Sequence, residues 1–249
     1  MKALITGASS GIGKEFAKEL AKRGYDIIIT ARRTDRLEEL KKTIKNVNVE
    51  IFTCDLSKEE ECYRLYETYP DVDILINNAG FGVFGNFENT DLSREIEMLK
   101  VNITAVHILM KLYYLRMKTR NNGYILNVAS SAAFFPGPMF SSYYASKSYV
   151  YRLSEAVAEE IAKSKSNVHL SVLCPGPVDT EFNSVANVRF GVSSITAEYA
   201  AKYALNKMFK NKTVIVPSLL IKCTRLLSKL SPDNISAKIV YKIQKAKKE

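Results

Sequence analysis

Thr6-Gly7-Ala8-Ser9-Ser10-Gly11-Ile12-Gly13 is the stretch on which the reading of the whole chain turns. It follows the apolar run Lys2 to Thr6 and opens a segment, Gly11 to Arg23, in which Ile12, Phe16 and Leu20 recur four apart. A strand therefore passes through glycines into an amphipathic helix. Glycines here let the backbone approach a phosphate, while the helix start offers free N–H groups and the positive end of its dipole. The G-x-x-x-G-x-G spacing differs from the commoner G-x-G-x-x-G, and a glycine-rich turn alone says little. Placed between a strand and a helix, it reads as a dinucleotide cradle.

Working outward, further short β-branched runs appear at Asp26 to Thr30, Val49 to Thr53, Val72 to Ile76, Tyr124 to Val128 and Val168 to Leu173, with a seventh at Thr213 to Pro217. Helix-period segments fill the gaps, the longest being Asp91 to Met117 and Ser141 to Lys163. This alternation predicts an α/β fold, a doubly wound (Rossmann) three-layer sandwich with a mostly parallel seven-stranded sheet. Residues 1–249 read as one such domain, with a basic helical extension from about 218 to 249. In such a sheet the ligand crevice lies outside the carboxyl ends of the strands, so chemistry is sought just after each strand.

Composition agrees with one folded unit. The chain has 249 residues, 47% hydrophobic and 25% charged, without repeats or a low-complexity linker. Cys54, Cys62, Cys174 and Cys223 form no CxxC pair, and His107 and His169 complete no zinc spacing, so no metal site is expected and the cysteines read as reduced thiols. Neither a membrane-spanning run nor a signal-peptide core is present, which points to the cytoplasm. The net charge of +10 is uneven: from Lys222 onward eight basic residues face only Asp233 and Glu249. The body is mildly basic, and nucleic-acid binding is not expected.

With more motifs in place, the chain resembles the classical short-chain dehydrogenase/reductase family from Lys2 to about Pro217. The family's Asn-Asn-Ala-Gly element matches Asn77-Asn78-Ala79-Gly80, its asparagine Asn102, its serine Ser130, and its Tyr-x-x-x-Lys element Tyr143 and Lys147. Its Pro-Gly element matches Pro175-Gly176-Pro177-Val178-Asp179-Thr180. The resemblance implies a nicotinamide-dependent oxidoreductase acting on a carbonyl or alcohol, with Asn102, Ser130, Tyr143 and Lys147 as the catalytic set. Tyr143 would be the general acid/base, Ser130 would bond the substrate oxygen, and Lys147 would also hold the nicotinamide ribose. Asn102 would bind a water leading from Lys147 to solvent. The implied cofactor residues are Gly7, Ser9, Ser10, Gly11, Ile12 and Gly13 in the cradle and Asp55 and Leu56 beside adenine. Asn78, Ala79, Gly80, Pro175, Gly176, Val178 and Thr180 follow along the crevice. A small-molecule substrate and a homo-oligomer, dimer or tetramer, are also implied.

Two readings rest on the residues themselves. Tyr143 and Lys147, four apart on a helix, project from one face. An ammonium about 5 Å from the phenol would favour phenolate by about 3 kcal/mol at an effective dielectric near 20, moving Tyr143 toward working pH. The second strand ends Thr30-Ala31-Arg32-Arg33, and the next acid, Asp35, falls past the turn. Two guanidiniums and no carboxylate favour the 2′-phosphate of NADP(H) over a free ribose hydroxyl.

On the substrate side, the run Phe134 to Phe140 and the residues Phe182, Val185 and Phe190 place apolar groups around the expected carbonyl site. Phe81 and Phe84 stand between wall and packing, and the two histidines receive no role. The alternative function is a non-catalytic NADP(H)-binding regulator of the same fold, disfavoured because the catalytic set is complete. In the extension, Leu219, Cys223, Leu226 and Leu230 share one helix face, and Ile235, Ile239 and Ile243 share another beside Lys238, Lys242 and Lys245. These apolar stripes are expected to cover the body or an oligomer partner. Peripheral membrane contact through the lysines is the less favoured role.

Overall fold

A computed structural model of the chain describes residues 1–182 and 194–245. Strands β1 (Lys2–Thr6), β2 (Asp26–Ala31), β3 (Val49–Thr53), β4 (Ile74–Asn77), β5 (Gly123–Val128), β6 (Val168–Leu173) and β9 (Val214–Ile215) form one sheet in the order β3-β2-β1-β4-β5-β6-β9. Every pairing in it is parallel. A separate two-residue ladder joins β7 (Val178–Asp179) to β8 (Ile195–Thr196). The topological switch lies at β1, between β2 and β4, and the crevice it creates holds the site.

Both faces of the sheet are covered, so its strands are nearly continuous in apolar residues. Successive residues of β1 divide between two cores: Ala3 and Ile5 join Phe16 and Leu20 of helix α1 (Gly11–Lys22) and Leu37 of α2 (Thr34–Thr43). Leu205 and Met208 of α7 (Ala197–Met208) complete that side. Leu4 faces the other way, toward Leu65 of α3 (Glu59–Thr68), Tyr113 of α5 (Val106–Arg120) and Ile161 of α6 (Ser141–Lys163).

The structure corrects several boundaries. The fourth strand is displaced toward Asn77, and the seventh is shorter than expected. The single helix expected over Asp91 to Met117 is α4 (Leu92–Leu99), then a π-helical segment Lys100–Ala105, then α5. Two helices do form in the extension, α8 (Leu219–Ser228) and α9 (Asp233–Lys245). Their large apolar stripes do not cover the body of this chain. In α9 the inward face is Ser236, Val240 and Gln244, and in α8 it centres on Ile221 and Arg225, with Arg225 bonded to Tyr151 and Gln244 to Tyr144.

Candidate active site

The glycine turn is shaped by backbone demands. Gly7 and Gly11 have φ of +65° and +55°, where a side chain would be strained. A Cβ on Gly13 would stand 2.4 Å from the Gly7 carbonyl oxygen, so only glycine lets the first turn of α1 pack beneath the loop. Thr6 Oγ1 accepts from the backbone N–H groups of Asn78 (2.9 Å) and Ala79 (3.0 Å). Asn78 Nδ2 in turn donates to the Thr6 and Gly7 carbonyls. The Asn-Asn-Ala-Gly element is thereby bolted to the cradle. Ser10, at the N-cap of α1, makes no capping bond, and its hydroxyl instead bonds Glu181. With no acid in its first turn, the helix start suits an anion, and the cradle fits a pyrophosphate.

This turn opens on a cleft of about 480 Å³. Every residue singled out in the sequence as catalytic or cofactor-binding lines it except Gly13 and Asn102, which lie behind the wall. At the other end, Ser130 follows β5, and its Oγ accepts from Ala132 N at 3.1 Å. The same hydroxyl hydrogen-bonds the Tyr143 phenol. Lys147, on the same face of α6, is buried and donates from Nζ to the Val128 carbonyl at 2.9 Å. Asn102 sits in the π-helical segment, a departure that turns its side chain inward. Its Oδ1 accepts from Phe81 N (3.1 Å), and its Nδ2 donates to Phe81 O and Ser146 Oγ, both at 3.0 Å. It thus fixes the segment after Gly80 against α6.

The electrostatics differ from expectation. Burial pushes the Tyr143 phenol above its ordinary range, and the Ser130 hydrogen bond offsets this only in part. Burial also pulls Lys147 down to about 8. The ammonium stands 5.8 Å from the centre of the Tyr143 ring, and the loss of water around both groups outweighs their attraction. The site therefore holds a protonated phenol beside a lysine that titrates near working pH.

Arg32 and Arg33 both reach the cleft, and each already has a partner. Arg32 Nη1 meets Glu97 Oε1 at 2.6 Å, and Arg33 Nη2 meets Glu181 Oε2 at 3.0 Å and Ser9 Oγ at 3.0 Å. The Arg33 guanidinium holds the Glu181 carboxyl below the usual carboxylate range. Neither glutamate was foreseen, since they lie 65 and 148 residues from their arginines.

The substrate end is aromatic. Phe140 stacks on Tyr143 with ring centres 4.5 Å apart, and Phe182 stands 5.3 Å away. Phe81 lines the cleft, while Phe84 packs on Phe140. Phe134 turns instead toward Tyr151 and away from the site. Val185 and Phe190 lie outside the described residues. Sequence reading missed the contribution of α9: Ile243 and Gln244 line the cleft, and buried Gln244 donates from Nε2 to the Tyr144 hydroxyl at 2.7 Å. The histidines stay outside the chemistry, His107 bonding Tyr149 on the surface and His169 lying against Tyr124.

The sheet order, the cradle and the Ser130–Tyr143–Lys147 cluster define a class, and the short chain dehydrogenase family model matches residues 1–189. The chain belongs to that family and is an oxidoreductase of it. Among particular proteins, it is 35% identical over 213 residues to human 17-beta-hydroxysteroid dehydrogenase type 3, covering 82% of this chain and 67% of that one. It is 36% identical over 188 residues to 11-beta-hydroxysteroid dehydrogenase 1A of Arabidopsis thaliana, covering 72% of this chain and 52% of the relative. A short-chain dehydrogenase from Sphingobium yanoikuyae, solved in complex with NADPH, superimposes with a TM-score of 0.82 at 28% identity, covering 88% of each chain. A family member from Burkholderia phymatum, solved with NAD, shares the fold with a TM-score of 0.83 at 23% identity, covering 90% of this chain and 91% of that one.

Proposed function

We propose that this protein is an NADPH-dependent carbonyl reductase acting on a ketone or aldehyde of an apolar compound. The observation that carries the reading is the convergence, in one cleft, of the glycine cradle, the arginines after β2 and the Ser130–Tyr143–Lys147 cluster beneath an aromatic wall. The nicotinamide, when bound, supplies the hydride. The residues do the rest. Tyr143, kept protonated by burial, gives its proton to the substrate oxygen. Ser130 donates a hydrogen bond to that oxygen as negative charge develops on it. Lys147, anchored on the Val128 carbonyl, holds a positive charge beside the phenol and binds the ribose hydroxyls. Asn102 is a positioning residue, holding Phe81 and α6 in register. Arg32 and Arg33 bind the 2′-phosphate.

A homo-oligomer belongs to the same proposal, because α4, α5 and α6 leave Leu92, Ile96, Leu115 and Tyr149 exposed. The deciding experiment is NADPH consumption across aldehydes, simple ketones, ketoacyl thioesters and steroid-like ketones, with Tyr143→Phe as control. Turnover that is lost in the variant supports the reading. Undiminished turnover in the variant overturns it.

A further inference from the structure

Helices α8 and α9 are attached to the body by narrow faces. Ile221 packs against Gly176, and Arg225 donates to the Tyr151 hydroxyl at 2.8 Å and pairs with Glu155 at 3.2 Å. From α9, Val240 is buried and Gln244 holds Tyr144. What remains outside is apolar to an unusual degree: Leu226 is 64% exposed, Leu230 77% and Ile239 52%. Exposed apolar residues grouped in this way mark a contact surface.

The charge beside them selects the partner. Lys229, Lys238, Lys242 and Lys245 are all exposed, and Asp233 is the only acid between Leu219 and Lys245. At about 100° per residue, the isoleucine row of α9 falls between its buried face and its lysine row. Helix against body, apolar row along the edge and cations beyond is the cross-section of a helix lying in a lipid interface. A second copy of this chain docked through the same face would set lysine row against lysine row, with Asp233 the one acid there to answer them. No helix among the described residues is long and apolar enough to cross a membrane, so the fit is to the surface.

We propose that α8 and α9 together dock on an anionic lipid bilayer, with the mouth of the substrate cleft turned toward it. Ile243 belongs to both surfaces, being 54% exposed in the row and also lining the cleft. A lipophilic carbonyl compound dissolved in the bilayer would reach Tyr143 along this helix without crossing water. That last step rests on the carbonyl-reductase reading, whereas the docking does not.

Sedimentation of the full chain with vesicles of phosphatidylcholine, with and without phosphatidylserine, tests it at low and high salt. Binding to anionic vesicles that weakens with salt is expected. Each lysine at such a surface contributes roughly fivefold, so Lys238→Gln with Lys242→Gln should bind roughly 25-fold more weakly. Leu226→Ser with Leu230→Ser should also lose binding, and both variants should keep the wild-type melting temperature and NADPH affinity. If the leucine variant misfolds, the lysine variant, altered only at solvated positions, still decides. No binding at low salt overturns the proposal, as does equal binding to neutral vesicles. So does an oligomer that the leucine changes dissociate in the absence of vesicles. Salt-sensitive vesicle binding by a protein that reduces no carbonyl compound would uphold the docking and reject the reductase reading instead.

Discussion

Replacing Glu181 with Gln should make the protein more selective for NADPH. The arginine proposed to bind the 2′-phosphate is held by this carboxylate at 3.0 Å, with the side chains 44% and 42% exposed. With Arg32 held by Glu97, two positive charges face two negative ones before any phosphate arrives. At 3.0 Å and a water-like dielectric the Arg33–Glu181 attraction is about 1.4 kcal/mol. Screening and side-chain entropy reduce such half-exposed pairs to about 0.2–1 kcal/mol, which a 2′-phosphate must displace to reach the guanidinium. Glu181→Gln should therefore tighten NADPH by up to about fivefold and leave NADH within about twofold. Arg32→Ala with Arg33→Ala should work oppositely, losing about 1.5–3 kcal/mol of NADPH binding for each effective contact. Titration of both cofactors by the rise in nicotinamide fluorescence gives the dissociation constants for each protein. Equal tightening of NADH in Glu181→Gln would show that the carboxylate opposes the shared pyrophosphate. Unchanged NADPH affinity would refute the competition altogether.

Tyr143→Phe should lower kcat by roughly 10²- to 10⁴-fold with NADPH affinity retained, since only the proton donor is removed; steady-state kinetics beside a binding titration checks both. The pH profile should follow Lys147, which burial pulls down to about 8: it is charged below that pH and neutral above, so kcat/KM for reduction should fall as pH rises through about 8, and a flat profile well beyond it would reject the role of its charge. Gly13→Ala should cost about 1–3 kcal/mol in urea unfolding and abolish NADPH binding, because the new Cβ meets the Gly7 carbonyl at 2.4 Å.

The parts of the molecule legible in the sequence are those written locally. β1, the glycine turn and α1 are contiguous, so hydrophobic period and glycine spacing define them together. Tyr143 and Lys147 share a helix face, and the strand ends place Ser130 and Arg32 at the crevice. What escaped depends on pairings between distant segments. The π-helical segment around Asn102 has no compositional signature and is held by Phe81 and Ser146, which reach it from other elements. The glutamates on the arginines come from within α4 and from the segment after Thr180. Period alone predicted α9 but did not give the face it turns to the body: the isoleucines form the stronger stripe, yet the body offers Gln244 a bond to Tyr144. The expected fall in the Tyr143 pKa failed for a related reason, since spacing gives proximity to Lys147 and says nothing about burial.

The strand order carries a consequence for how the chain is made. β1 sits at the middle of the sheet, with Ala3 paired to Ile27 on one side and Ile74 on the other. A ribosome adding about 5–20 residues per second leaves the second side open for several seconds after the first can close. During that interval the central strand presents a bare apolar edge, the feature most prone to wrong pairing between nascent chains. The β6 edge waits in its turn, because Val172 finds its neighbour only when Val214 has emerged. The glycine turn and the arginines after β2 can thus be in place while the segment that bears Tyr143 is still being synthesised.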